Sequence, residues 1–384
     1  MKAKSISGKD SNELKLALSI AMDDGFRPSL AMVLMPSQID HKEIVQVLRE
    51  REIAIFGAYP PGMFSEEGIK DEQVVVMLMD LNPEYFRIVL EEVESESFEQ
   101  TIAKTQLIAK AGQNFFDQPA YILSAASFQD TPGEALVEGI TSVAGKNARL
   151  IGGIAGGKPI QDDCLVFTEK QESQRGIICL ILDMDRIEIA DLAVSGWRAV
   201  GTPKTVTQSD GSWIYTIDDQ PALDVLRKFT GLEVNMEDQK DIFHQIGVTY
   251  PLQVIQANGD PLMNPPLLFN RETGAVQCGG HVPQGSQVRF SLPPDFDIVQ
   301  AVIESAREAQ KKSLPEAEAL MVFSCIGRLA NLGPLVEEEI LGIQAVWDLP
   351  LIGFFSCGEF GTPTGGHAAF HGVTCSWLAL KEKE

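Results

Sequence analysis

Apolar runs of strand length recur along the chain in a fixed relation to helical segments. Residues 30–35 form an unbroken apolar run. A helical segment over 42–51 follows, with Ile44, Val45 and Leu48 on one face. Residues 53–56 then lead into Gly57, and 74–79 close the set. A second copy runs through 121–124, a helix over 132–144, then 150–153, 164–167 and 177–182. A third runs through 320–323, a helix near 337–347, then 351–353 and a closing strand over 373–380. Strands apolar on both faces and joined through a helix predict parallel β-α-β pairing. Glycine where such a strand leaves its sheet lets backbone or ligand approach closely.

The pattern changes between the second and third copies. Residues 186–295 hold short alternating runs, 213–217 and 288–292, with turn signals at Asp210-Gly211 and Gln284-Gly285. These predict antiparallel hairpins. Helices are expected over 221–229, which ends before Gly231, and over 297–311. The stretch 81–116 reads as an acidic helical connector, and 14–22 as a short amphipathic helix. The predicted fold class is α/β. Mixed parallel and antiparallel sheets are built from repeated β-α-β units, with an antiparallel, hairpin-rich segment in the middle. Two domains are expected to meet between 185 and 215.

Charge narrows the range of partners. The 384 residues carry 54 Asp and Glu against 31 Lys and Arg, a net of −23. Such a field repels nucleic acid and anionic lipid, so neither is expected as a partner. No run of about 18 uninterrupted apolar residues predicts a membrane span, and a cytoplasmic location is expected. Six cysteines, mostly within apolar runs and without a C-x-x-C pair, suit a reducing compartment.

Several segments resemble one family. The runs Phe323-Ser-Cys-Ile-Gly-Arg328, Leu351-Ile-Gly-Phe-Phe-Ser-Cys-Gly-Glu-Phe-Gly361 and His371-Gly-Val-Thr374 are similar to the C-terminal half of the FIST domain. Gly279-Gly-His-Val-Pro-Gln-Gly285 resembles its hairpin, and 132–144 with 150–153 resembles the N-terminal half. The resemblance implies a FIST N-like domain over 1–198 and a FIST C-like domain over 199–384. It further implies a sensory protein that binds a small molecule, an amino acid or a derivative, and signals through a separate protein partner. One departure stands out. Where the family carries a Gly-Cys-Ser-Thr-x-Gly loop, this chain reads Gly57-Ala-Tyr-Pro-Pro-Gly62 and lacks that Ser/Thr hydroxyl.

Candidate ligand contacts cluster in the third copy. Arg328 and Glu359 each follow an apolar strand, and ligands of open α/β sheets bind beyond strand carboxyl ends. A guanidinium fits a carboxylate and a carboxylate fits an ammonium; equally, the two could pair with each other. Cys325, Ser356, Cys357, Gly358, Gly353 and Thr374 surround them in sequence. Gly152 and Gly153 lie in the glycine-rich run 152–157, which is not followed by the Lys-Ser/Thr pair of a phosphate-binding loop and does not complete a G-x-G-x-x-G pattern. An alternative reading is a thiol- or metal-dependent hydrolase or transferase using Cys325, Cys357, His367 and His371. The spacing of Cys357, His367, His371 and Cys375 admits zinc chemically, but the intervening glycines disfavour a helix that would align them. No metal and no cofactor is therefore expected. Asp162, Asp163, His281 and Trp197 are weaker candidates.

Overall fold

The computed structural model describes residues 1–383 apart from 71, 95–96, 127–131, 157–163 and 232–245. Within them one supersecondary unit occurs three times. The first contains β1 (Ala3–Gly8), α1 (Ser11–Met22), β2 (Leu30–Leu34), α2 (His41–Arg49), β3 (Ala54–Ala58), the hairpin β4 (Met63–Ser65) and β5 (Gly68–Lys70), and β6 (Val74–Met79). The second contains β7 (Phe86–Glu92), α3 (Phe98–Phe115), β8 (Pro119–Ala125), α4 (Gly133–Ala144), β9 (Arg149–Ile154), the hairpin β10 (Val166–Phe167) and β11 (Glu172–Ser173), and β12 (Gly176–Asp183).

The third unit begins with β13 (Ile187–Val194) and is then interrupted. Eight strands, β14 to β21 between residues 199 and 291, and α5 (Ala222–Thr230) form a separate antiparallel sheet with its own apolar core. The unit resumes with α6 (Asp297–Lys312), β22 (Ala319–Cys325), α7 (Ile326–Leu332), α8 (Leu335–Trp347), β23 (Leu351–Ser356), the hairpin β24 (Glu359–Gly361) and β25 (Ala369–His371), and β26 (Cys375–Glu382).

Local chemistry explains the helix starts. The side chains of Asp10 and Asp40 accept backbone N–H groups in the first turns of α1 and α2, and Ser97 does the same for α3. The mixed parallel and antiparallel sheets agree with the expected α/β class. The segment 81–116 is not wholly helical: β7 precedes α3. Arg87, Glu91 and Glu92 disguise β7 as a charged connector, and they are tolerated because β7 is an edge strand, paired on one side only by β12.

Each unit builds the same sheet core. Its two parallel strands lie side by side, and its first and last strands add antiparallel to one edge. The opposite edge is completed by a hairpin from a different unit. β10–β11 of the second unit joins the first sheet, β24–β25 of the third joins the second, and β4–β5 of the first joins the third. The exchange is therefore cyclic. One face of each sheet enters a common core that draws Met32, Phe56 and Met77 from the first unit, Ile122 and Leu180 from the second, and Met321 and Phe354 from the third. The other faces carry the helices. Among the described residues no helix is long and apolar enough to cross a membrane.

Candidate functional site

The exchanged hairpins dock through one repeated contact. A phenylalanine on the hairpin stands opposite a glycine on the second parallel strand: Phe167 on Gly57, Phe360 on Gly152 and Phe64 on Gly353. Two residues after each glycine, a backbone N–H donates to the carbonyl two residues before that phenylalanine. The pairs are Tyr59 to Leu165, Ile154 to Gly358 and Phe355 to Gly62. Tyr59, Ile154 and Phe355 are thus equivalent positions. So are Glu172, Phe370 and Ile69, which stand opposite the three phenylalanines within the hairpins.

Comparison of the three junctions singles out the first. At the second and third, the equivalent side chains are apolar, and Ile154 and Phe355 are fully buried. At the first they are Tyr59 and Glu172, bridged by His41 from the first turn of α2. The Tyr59 hydroxyl lies 3.0 Å from His41 Nδ1, and Glu172 Oε2 lies 2.6 Å from His41 Nε2. The His41 ring also rests 5.1 Å from the Phe167 ring. The hydrogen bond from His41 holds the Glu172 carboxyl below the ordinary range, so Glu172 accepts and His41 Nε2–H donates. The Tyr59 hydroxyl, beside His41 Nδ1, donates to the Ile39 carbonyl at 3.4 Å.

A cleft of about 730 Å3 opens on this trio, within the size range of small-molecule sites. Ser37, Glu94, Cys164, Ser173 and Arg175 also line it. Arg175 donates to the Glu94 carbonyl at 3.3 Å. The cleft sits beyond the carboxyl ends of β2 and β3, the edge expected to bind ligand, but on the first unit rather than the third. Its tyrosine lies in the loop 57–62 where the family's hydroxyl was missing from the sequence. That loop does carry a hydroxyl, the phenolic one of Tyr59.

The residues expected to bind ligand come together as a sealed cluster instead. Arg328 is fully buried and grips Glu339 of α8 in a bidentate pair through its Nε and Nη2, with Nε–Oε1 at 3.0 Å. It also donates to the carbonyls of Ser195 and Val373 and lies over the Trp197 ring. Its partner is not Glu359. Glu359 is itself fully buried and accepts from Ser356 Oγ at 2.6 Å, Thr374 Oγ1 at 2.8 Å and Thr374 N at 3.2 Å. Neither charge lines the cleft, so their proposed grip on a zwitterion is replaced by internal pairing.

The neighbouring candidates follow the same logic. Burial pushes the Cys357 thiol up to about 12 and Cys325 well above its ordinary value, which disfavours thiolate chemistry. A Cβ on Gly152 would meet the Leu123 carbonyl at 1.9 Å, and one on Gly153 would meet Ser356 at 2.7 Å. On Gly353 and Gly358 it would strike the Phe64 and Phe370 rings. These glycines serve close strand packing. His371 is buried and neutral, whereas His367 is exposed beside a smaller cleft. Among the described residues no group of His, Cys, Asp and Glu is placed to hold a metal. His281 stacks on Phe98, which ties the inserted sheet to α3. Asp162 and Asp163 lie outside the described residues.

Residues 29–220 match the FIST N domain and residues 222–362 the FIST C domain. The chain belongs to the FIST family. FIST domains are sensory domains. An uncharacterized protein of Mycobacterium tuberculosis is 28% identical over 253 residues, 64% of each chain. An uncharacterized protein of Mycobacterium bovis is 25% identical over 233 residues, 59% of each. The FIST chain here thus spans under two thirds of the length of these curated relatives. Among solved structures, a cyanuric acid hydrolase from A. caulinodans aligns over 100% of this chain and 99% of its own, at 7% identity and a TM-score of 0.38.

Proposed function

We propose that this FIST protein senses a small polar molecule, an amino acid or a derivative of one, in the cleft at the first junction. The observation that carries the reading is the internal comparison. Two of three equivalent junctions are closed by apolar side chains, and the third carries Tyr59, His41 and Glu172 at the wall of a cleft. A few convergent polar groups on the wall of a cleft are what a small-molecule site uses to fix its ligand, and Glu172 keeps part of its carboxylate open to that cleft. Arg175 offers a guanidinium to a carboxylate, while Glu172 and Glu94 offer carboxylates to an ammonium. Because the cleft joins two units, an occupant would change how the hairpin sits, and a separate protein partner would read that change.

A thermal-shift screen against amino acids tests this. A ligand that binds only the folded state raises Tm, by an amount set by its concentration over Kd. At least one compound should stabilise the wild type and lose that effect in Tyr59→Phe and His41→Ala. Stabilisation that survives both substitutions would place the ligand elsewhere, and no stabilisation by any amino acid would remove the proposed ligand class.

A further inference from the structure

We infer that β10–β11 is the one exchanged hairpin built to open, its outer strand parting from α2 while β4–β5 and β24–β25 stay closed. The three hairpins share the same anchor, a phenylalanine against a glycine, and all three outer strands are sheet edges. They differ in what holds the outer strand. β25 is pinned by Phe370, which packs on Gly133 at the start of α4. β5 is pinned by Ile69, whose side chain packs in the third unit's core and whose N–H donates to Glu337 of α8 at 3.2 Å. β11 has neither. At that position stands Glu172, its side chain 47% exposed, held to α2 by His41 and approached by Lys42 at 3.6 Å.

A solvent-accessible carboxylate exchanges its partners for water at little cost, whereas an apolar side chain does not. The ladder is also shorter. β10 and β11 share two residue pairs, against three in each of the other hairpins. Local opening follows the least buried and least bonded segment. The inference builds on the proposed sensing site, because the opening strand carries the cleft's Glu172 and Ser173. An occupant bridging Glu172 and Tyr59 would hold it shut.

Hydrogen exchange on the ligand-free chain tests the device without needing a ligand, so its failure is separate from failure of the thermal screen. Amides of Glu172–Ser173 should exchange at least about tenfold faster than those of Ala369–His371 and Gly68–Lys70, a gap of ~1.4 kcal/mol by conversion. Glu172→Phe, which installs the residue of the second hairpin, should bring β11 to the protection of β25. Tyr59→Phe keeps the ring and removes the hydroxyl, and should speed exchange of β11 alone. Equal protection of the three hairpins in the wild type would overturn the inference, as would unchanged β11 exchange in a folded Glu172→Phe.

Discussion

Arg328 and Glu339 form a bidentate ion pair with no solvent exposure on either side chain. The guanidinium also donates to the Ser195 and Val373 carbonyls. Val373 holds a φ of +50°, unusual for a β-branched residue. Arg328 thus joins α7 to α8, to the end of β13 and to the strained turn before β26.

Removing one member of this pair should cost far more than removing both. Glu339→Ala leaves a buried cation without its counter-charge, a loss of about 3–5 kcal/mol. Arg328→Met with Glu339→Leu replaces both charges by apolar groups and should recover most of that loss. Urea unfolding of the two variants measures the difference. Equal destabilisation in both would show that Arg328 acts chiefly through its carbonyl contacts.

Close packing at the exchanged hairpins yields a second expectation. A Cβ on Gly353 would lie 2.2 Å from both the Phe64 ring and the Val322 carbonyl. The ring can turn, but the carbonyl belongs to the neighbouring parallel strand and cannot. Gly353→Ala should therefore destabilise by about 1–3 kcal/mol through overpacking. Gly285→Ala, at φ +88° with open space around it, should cost only its backbone strain, about 1 kcal/mol. Tm measurements on the two would rank them, and a larger loss at Gly285 would contradict the packing account.

The sequence disclosed the three units because each rests on buried strands of five to seven residues and a helix between them. It concealed the cyclic exchange because the hairpin strands are two or three residues long and pair with distant units. Short strands carry too few alternations to show a face. Arg328 was legible as a residue beyond a strand end, yet its partner sits eleven positions on, across a helix break, so no local spacing reveals it. The cleft trio was hidden for the same reason: His41 and Glu172 stand 131 positions apart. The one signal in reach was the loop 57–62, where Tyr59 carries a hydroxyl that a search for Ser or Thr overlooks.

Burial pushes the Glu359 carboxyl up to about 7, against the hydrogen bonds from Ser356 and Thr374. The folded chain therefore holds this proton more tightly than the unfolded chain. Its contribution to stability is full below about 4.5 and is lost as pH rises through about 7. The span corresponds to roughly 3 kcal/mol. Glu359→Gln should remove this fall, so its stability relative to wild type should improve between pH 5 and pH 8. Parallel urea curves at the two pH values would exclude the effect.

His371 stands across the ladder from Glu359 and should titrate in the opposite sense. Burial lowers its imidazole to about 4, so the unfolded chain takes up the proton first as pH falls. Its contribution is present above about 6.5 and is lost as pH falls toward 4. Between about 4.5 and 6.5 the folded chain thus holds one proton more at Glu359 and one fewer at His371, and the two slopes cancel. Wild-type stability should owe almost no pH dependence to this pair there. Glu359→Gln exposes the histidine, and stability should climb with pH by about 1.4 kcal/mol per unit. His371→Phe exposes the carboxyl, and stability should fall with pH at a similar rate. It also removes a buried Nδ1 that has no hydrogen-bond partner, so its stability at pH 4.5 should match or exceed that of the wild type. Slopes of the same sign in the two single variants would mean that the pair shares one proton instead of holding two independent states.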